Sequence, residues 1–222
     1  MAHPLDSPIL AALGSRHARF AQAAGGWLRY PREVAPFAAF ASRTADGAGL
    51  ATLVEPGESV YLLGEEPPVP AGFALAGPWP LAQMVCDTLQ PVPDAAARRI
   101  EGDGLADVHA LAALVYPHYF RPRTPELGRY FGRYDGDVLA SMIGERMATE
   151  DWQEVSAVCT HPDFLGRGLA RGLLAILGND ILAQGRTPFL HVSQANTRAK
   201  GLYLRTGYVE RIEIAFWALK RA

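Results

Sequence analysis

Between residues 154 and 208 an apolar strand pattern runs into a turn with two glycines, followed by a helical pattern, a second strand and a second helix. Such alternation commits the segment to an α/β arrangement, because each helix must bury its apolar stripe against a sheet face. Residues 154–160 alternate as a strand does, Gly166 and Gly168 occupy the turn, and Leu169, Leu173, Leu174, Leu177 and Ile181 recur at helical spacing. Residues 189–192 read as the next strand, and Tyr203 falls on the helix after it.

A strand that feeds a glycine turn and a helix start is a candidate anion cradle. The first N–H groups of a helix lack internal partners, and the helix dipole favours negative charge there. Glycine lets the main chain turn tightly and come close to a ligand. Arg167 and Arg171 bring positive charge to the same end, where it opposes the dipole and calls for an anionic partner. Taken alone, such a turn reads first as a solvated connection, and context decides. Two other phosphate loops do not fit: no Gly-Lys-Ser/Thr ending is present, and Arg171 stands where a dinucleotide fingerprint needs glycine.

Residues 165–170 read Leu-Gly-Arg-Gly-Leu-Ala, and Asn196, Ala199, Tyr203, Gly207 and Tyr208 follow the spacing N-x-x-A-x-x-x-Y-x-x-x-G-F/Y. The two motifs, in this order, resemble those of the GNAT family of acyl-CoA-dependent N-acyltransferases, whose pyrophosphate loop is usually Q/R-x-x-G-x-G/A. Leu165 departs from that pattern and puts one side-chain contact in question, not the backbone cradle. The resemblance covers about residues 98–222. It implies an α/β (α+β) GNAT fold, a mixed and mostly antiparallel sheet flanked by helices, with acetyl-CoA or a related short acyl-CoA as co-substrate and no metal. By the same resemblance, amides of Val158, Cys159 and Thr160 hold the pantetheine arm. The loop Leu165, Gly166, Arg167, Gly168, Leu169, Ala170 and Arg171 holds the pyrophosphate, Asn196 and Ala199 line the other wall, and Tyr203 protonates the departing thiolate.

Acyl transfer to an amine poses a proton problem at each end. A lysine-like amine with a pKa near ~10.4 is almost wholly protonated at pH 7, so a base or a water path helps. Glu154, a carboxylate on an apolar strand, is the candidate base, with Glu145 and water as competitors. Alternation sets Glu154, Ser156 and Val158 on one face and Val155, Ala157 and Cys159 on the other. A water-facing strand end accounts for Glu154 equally well. At the leaving end a phenol near ~10 can donate to a thiolate whose conjugate acid lies near ~8.5. Tyr203 suits that role; without its motif it would read as a core aromatic.

A formal charge of -2 and a pI near 6.3 give no general attraction to nucleic acid or to an anionic membrane. Cys86 and Cys159 make no disulfide framework. The six histidines are scattered without a metal-binding pattern, His161 and His191 falling at strand ends, and no serine sits in a nucleophile elbow. The start of the chain has no basic segment followed by a long apolar run, so the location expected is cytoplasmic. The expected partners are a primary-amine acceptor, small molecule or peptide, and a second copy of the chain. The competing reading from another class is a regulatory module that binds acyl-CoA without catalysis.

Prolines near residues 90–97 suggest a linker, dividing an N-terminal lobe at 1–95 from an acyltransferase domain at 98–222. Beyond it, Asp103 is placed to cap a helix carrying Leu105, Val108, Leu111, Ala112 and Val115, and Asp135-Gly136 marks a hairpin. The last strand begins near Val209. In the first 95 residues a helix starts at Pro8, and apolar runs at 59–63, 73–76 and 81–85 read as strands. Members resembling glycine N-acyltransferases carry an N-terminal lobe that echoes the fold without its cofactor site. This segment fits either such a lobe or an extension that shapes the acceptor cleft.

Overall fold

The computed structural model describes residues 3–88, 90–91 and 97–222. The chain begins with α1 (Pro8–Leu13), β1 (Gln22–Ala24), β2 (Trp27–Arg29), β3 (Ala38–Phe40), α2 (Gly47–Leu53), β4 (Ser59–Leu63) and β5 (Phe73–Val85). It continues with β6 (Arg98–Ile100), α3 (Leu105–Val115), β7 (Tyr130–Asp135), β8 (Val138–Ala148) and β9 (Trp152–Thr160). Then come α4 (Leu169–Ala183), β10 (Thr187–Ser193), α5 (Thr197–Arg205) and β11 (Val209–Arg221). Eight strands form one sheet in the order β4-β11-β5-β10-β9-β8-β7-β6, and β1-β2-β3 form a small second sheet. Every neighbouring pair in the large sheet is antiparallel except β9 and β10.

Local chemistry accounts for most of these elements. The β7–β8 hairpin closes through Gly136, whose φ of 59° belongs to the left-handed region that favours glycine. Leucines at helical spacing bury one face of α4: Leu173, Leu174, Leu177 and Ile181 pack on Ile143, Val155 and Leu190 of the sheet. Each such side chain contributes on the order of 1.5–3 kcal/mol of burial. On the opposite face, Val108, Leu111 and Ala112 of α3 meet Tyr130, Met142 and Cys159. Ile9, Ala12 and Leu13 of α1 cluster with Met147 and Phe189. The sheet is therefore covered by α4 and α5 on one side and by α1 and α3 on the other.

Three details differ from the sequence reading. Gly104, not Asp103, is the N-cap of α3, and no side chain caps it, because Asp103 is used in the 3-10 turn just before. The runs at 73–76 and 81–85 are one strand, β5. It passes Gly77, where a Cβ would lie 2.7 Å from the carbonyl oxygen of Phe216, so the close approach of β11 requires glycine. Strands β1 to β3 and helix α2 carry too few residues for a periodic signal.

The middle of the linker expected at 90–97, residues 92–96, lies outside the described residues. The large sheet crosses that boundary: β5, from the first 95 residues, lies between β10 and β11. Among the described residues, no helix is long and apolar enough to cross a membrane.

Candidate active site

The parallel pair at the centre of the sheet comes apart. Trp152, Gln153 and Glu154 of β9 stand opposite Thr187, Pro188 and Phe189 of β10, and the pairing then stops. Past this point β9 follows β8 as far as Thr160, while β10 follows β5. A wedge opens between them, and strand edges facing it have backbone groups free for a ligand.

A bulge shapes the β9 side of the wedge. Ala157 has φ 49°, and the β8–β9 register slips between Met142 and Gly144, so that the stretch 156–159 of β9 faces only 142–144 of β8. The extra residue exchanges the two faces beyond it. Val155 and Val158 both pack on the α4 side, whereas Ala157 and Cys159 turn toward α3. Simple alternation, which groups Val158 with Glu154 and Cys159 with Val155, is thus corrected. At the strand end Ser141 Oγ donates to the Cys159 carbonyl at 2.9 Å and lies 3.0 Å from Thr160 Oγ1.

After a 3-10 turn at Pro162–Phe164 the chain reaches the glycines. Gly166 and Gly168 have φ of 80° and 74°, and Gly168 is the left-handed N-cap of α4. A Cβ on either glycine, or on Gly172 one turn later, would meet no atom within 4 Å. These glycines are therefore required by backbone conformation and leave open space over the helix start. Arg167 lies 3.3 Å from Asp135 and 4.7 Å over the Phe164 ring, while Arg171 is exposed and forms no ion pair among the described residues. Leu165 is exposed, and Leu169 and Ala170 are half-buried in the first turn. The open amides and the dipole of a 15-residue helix fit the diphosphate of a nucleotide-like ligand.

Helix α5 supplies the second wall. Asn196 caps it, its Oδ1 accepting from the Ala199 amide at 3.1 Å. Tyr203 is buried among Leu173, Leu190 and Val158, its ring 6.0 Å from that of Tyr208. Among the described residues the Tyr203 hydroxyl forms no hydrogen bond, and the buried tyrosine hydroxyl left without a partner is that of Tyr208. Burial, and secondarily Cys159, push the Tyr203 hydroxyl up to about 12, and burial lifts the Cys159 thiol to about 11. Tyr203 packs on the α4 side of β9 and Cys159 on its α3 side.

Glu154 has no exposed surface. Arg146 Nε and Nη2 donate to its two oxygens at 2.7 and 2.6 Å, His191 Nδ1 lies 2.8 Å away, and the Met147 amide donates at 3.3 Å. Burial would raise the Glu154 carboxyl, but Arg146 and His191 outweigh it and hold the group down to about 2. Gln83 Nε2 donates to the Leu5 carbonyl at 2.8 Å and lies 3.0 Å from His191 Nε2. Because the Leu5 oxygen fixes the amide nitrogen on that side, Gln83 donates to His191 Nε2, and His191 in turn donates from Nδ1 to Glu154. The expectation that Glu154 is free to take a proton is corrected: its lone pairs are committed, and at pKa about 2 it is a feeble base. Glu145 is likewise held by Arg129, at 2.6 and 3.0 Å, and Arg129 also meets Asp180 of α4. That places Glu145 on the far face of the sheet.

The structure thus brings Val158, Thr160, the 165–171 loop, Asn196, Ala199 and Tyr203 around one wedge and sets Glu154 at its closed end. Sequence reasoning missed Arg146 and Gln83 and left His191 as a strand-end residue. An arginine and a glutamate on adjacent strands were the available signal, unusable without the register.

A family model described as FR47-like protein matches residues 130–218. No curated protein matches the chain. A solved structure from Novosphingobium aromaticivorans, described as a putative acetyltransferase from the GNAT family, shares 32% sequence identity, covers 100% of both chains and superposes with a TM-score of 0.90. Two others share the fold at lower identity. A GCN5-related N-acetyltransferase from Kribbella flavida has TM-score 0.63 and 18% identity over 96% of this chain and 95% of its own. A GCN5-related N-acetyltransferase-like protein from Streptococcus suis has TM-score 0.62 and 13% identity over 96% and 93%. With the wedge, the glycine turn and end-to-end similarity at this identity, the chain belongs to the GNAT acetyltransferase family.

Proposed function

We propose that the protein transfers an acetyl or short acyl group from acyl-CoA to a primary amine by direct attack within the β9–β10 wedge. The observation that carries this reading is the joint placement of the left-handed glycine turn at the start of α4 and the buried Tyr203 on either side of that wedge. The loop 165–171 would hold the pyrophosphate, amides of Val158, Cys159 and Thr160 the pantetheine arm, and Asn196 and Ala199 the opposite wall. Acyl-CoA supplies the activated thioester; the protein's part is mainly to align it with the amine.

Tyr203 acts as general acid in this reading. A phenol near 12 is poorly matched to a thiolate of ordinary basicity, near ~8.5. A CoA thiolate departing into the apolar wedge, however, gains basicity by the same kind of desolvation that raises Tyr203, which narrows the gap and makes the proton transfer feasible. Glu154, locked to Arg146, anchors His191 and the closed end of the wedge, so water is the better carrier for the amine's proton. Residues 1–95 shape the acceptor side, and the relation to glycine N-acyltransferase-like members is one form of this proposal. A cytoplasmic location accords with two buried free thiols.

The test is thiol release from acetyl-CoA across a panel of amines, with calorimetric titration of CoA alongside. Turnover with at least one amine is expected. Tight CoA binding with no acceptor at all would instead favour a regulatory module.

A further inference from the structure

On the α3 side of the sheet, aromatic residues from distant parts of the chain form a continuous wall. Tyr61 stacks on Phe216 with centroids 5.4 Å apart, Tyr119 meets Tyr61 edge-on at 4.9 Å, and Tyr116 lies 5.7 Å beyond Tyr119. Tyr119 also lies 6.3 Å from Phe37, whose ring Arg146 covers at 4.8 Å, so the wall approaches the closed end of the wedge. At the other end Tyr61 borders a cavity of about 470 Å³ that also includes Arg32, Glu33, Glu58, Ser59 and Arg121.

The charges in this cavity do not cancel. Glu33 is paired with Arg123 at 2.8 Å, and Glu58 takes a two-point bond from Arg29 at 2.7 and 3.1 Å. Arg29 answers Glu58 from outside the cavity, with Arg32 adding the smallest part of the attraction, and Arg123 answers Glu33 while also binding Glu126. Among the described residues the guanidinium groups of Arg32 and Arg121 have neither an ion pair nor a hydrogen bond. Two arginines over an aromatic wall suit a carboxylate or phosphate, which their planar donor edge binds at two points.

Resting on the acyltransferase reading, we propose that this cavity binds an anionic group of the acceptor, held by Arg32 and Arg121. The acceptor is then an amine carrying a carboxylate or phosphate on the order of 10 Å from its nitrogen, the span of about three extended residues, as the Tyr61–Tyr119–Tyr116 steps allow. The aromatic wall covers the apolar stretch between them.

The test uses the full chain saturated with CoA and three probes built on eight-carbon chains: ω-aminooctanoate, ω-aminooctyl phosphate and octylamine. Calorimetry should show at least one anionic probe binding tenfold or more tighter than octylamine, with the advantage shrinking as salt is added; the two anionic probes identify which anion is preferred. Replacing both arginines, Arg32→Ala with Arg121→Ala, should abolish the advantage and leave CoA affinity unchanged. Equal binding of all three probes, or an advantage that survives in the double variant, overturns the proposal. Thiol release from acetyl-CoA is read in parallel. Selective probe binding without thiol release counts against the acyltransferase reading alone, and turnover without anion preference counts against the cavity alone.

Discussion

Arg146 meets Glu154 side-on, with two hydrogen bonds of 2.6 and 2.7 Å to a carboxylate that has no exposed surface. The pair joins β8 to β9 at the point where β9 and β10 begin to separate, and His191 ties it to β10. Its geometry explains how a sheet can be opened at its centre without losing alignment at the closed end.

Removing one partner should therefore be costly. Glu154→Leu leaves Arg146 buried without its counter-charge, and urea unfolding should show a loss of about 3–5 kcal/mol. Replacing both residues, Arg146→Leu with Glu154→Leu, should cost less than the single change, since no buried charge is then orphaned. A double variant less stable than Glu154→Leu would show that the pair's role is not chiefly charge compensation.

Acid stability should fall in two stages. His17 is buried beside Tyr30, 2.9 Å from its hydroxyl, and burial followed by Arg19 lowers the imidazole from 6.5 to about 4. Protonation favours the unfolded chain, so stability is full above pH 6.5 and declines as pH falls toward 4, by about 3 kcal/mol in all. Glu154, lowered from 4.5 to about 2, adds a second decline below pH 4.5. Denaturant midpoints from pH 8 to pH 3 check this: His17→Gln should flatten the upper stage and leave the lower one.

Gly168 holds a left-handed backbone over open space. Gly168→Ala should destabilise by about 1–2 kcal/mol and also place a methyl group in the proposed cradle. The expected calorimetric result is CoA affinity reduced tenfold or more. Unchanged affinity in a folded variant would move the pyrophosphate elsewhere.

What was legible in the chain was local. Leu173, Leu174, Leu177 and Ile181 announce α4 by spacing, Gly166 and Gly168 announce its turn, and Asn196 to Tyr208 announce α5. Non-local pairing was not legible. Nothing near residues 73–85 indicates that β5 will lie between β10 and β11, because neither partner is a sequence neighbour. The bulge at Ala157 reverses which of Val158 and Cys159 faces α4, and no residue type there signals it. Glu154 looked like a base because Arg146 reaches it only through the β8–β9 register. The wall of Tyr61, Tyr116, Tyr119 and Phe216 is assembled from positions too scattered to form a motif.

Tyr203 bears most directly on the proposed chemistry, and Tyr203→Phe removes one oxygen from a buried ring with no hydrogen-bond partner among the described residues. The decisive measurement is kcat of this variant with acetyl-CoA and an active amine, beside its calorimetric Kd for CoA. Loss of a general acid predicts kcat lowered about 10²-fold or more, with Kd within threefold of the parent. Equal kcat in variant and parent would contradict the assignment of Tyr203 as proton donor.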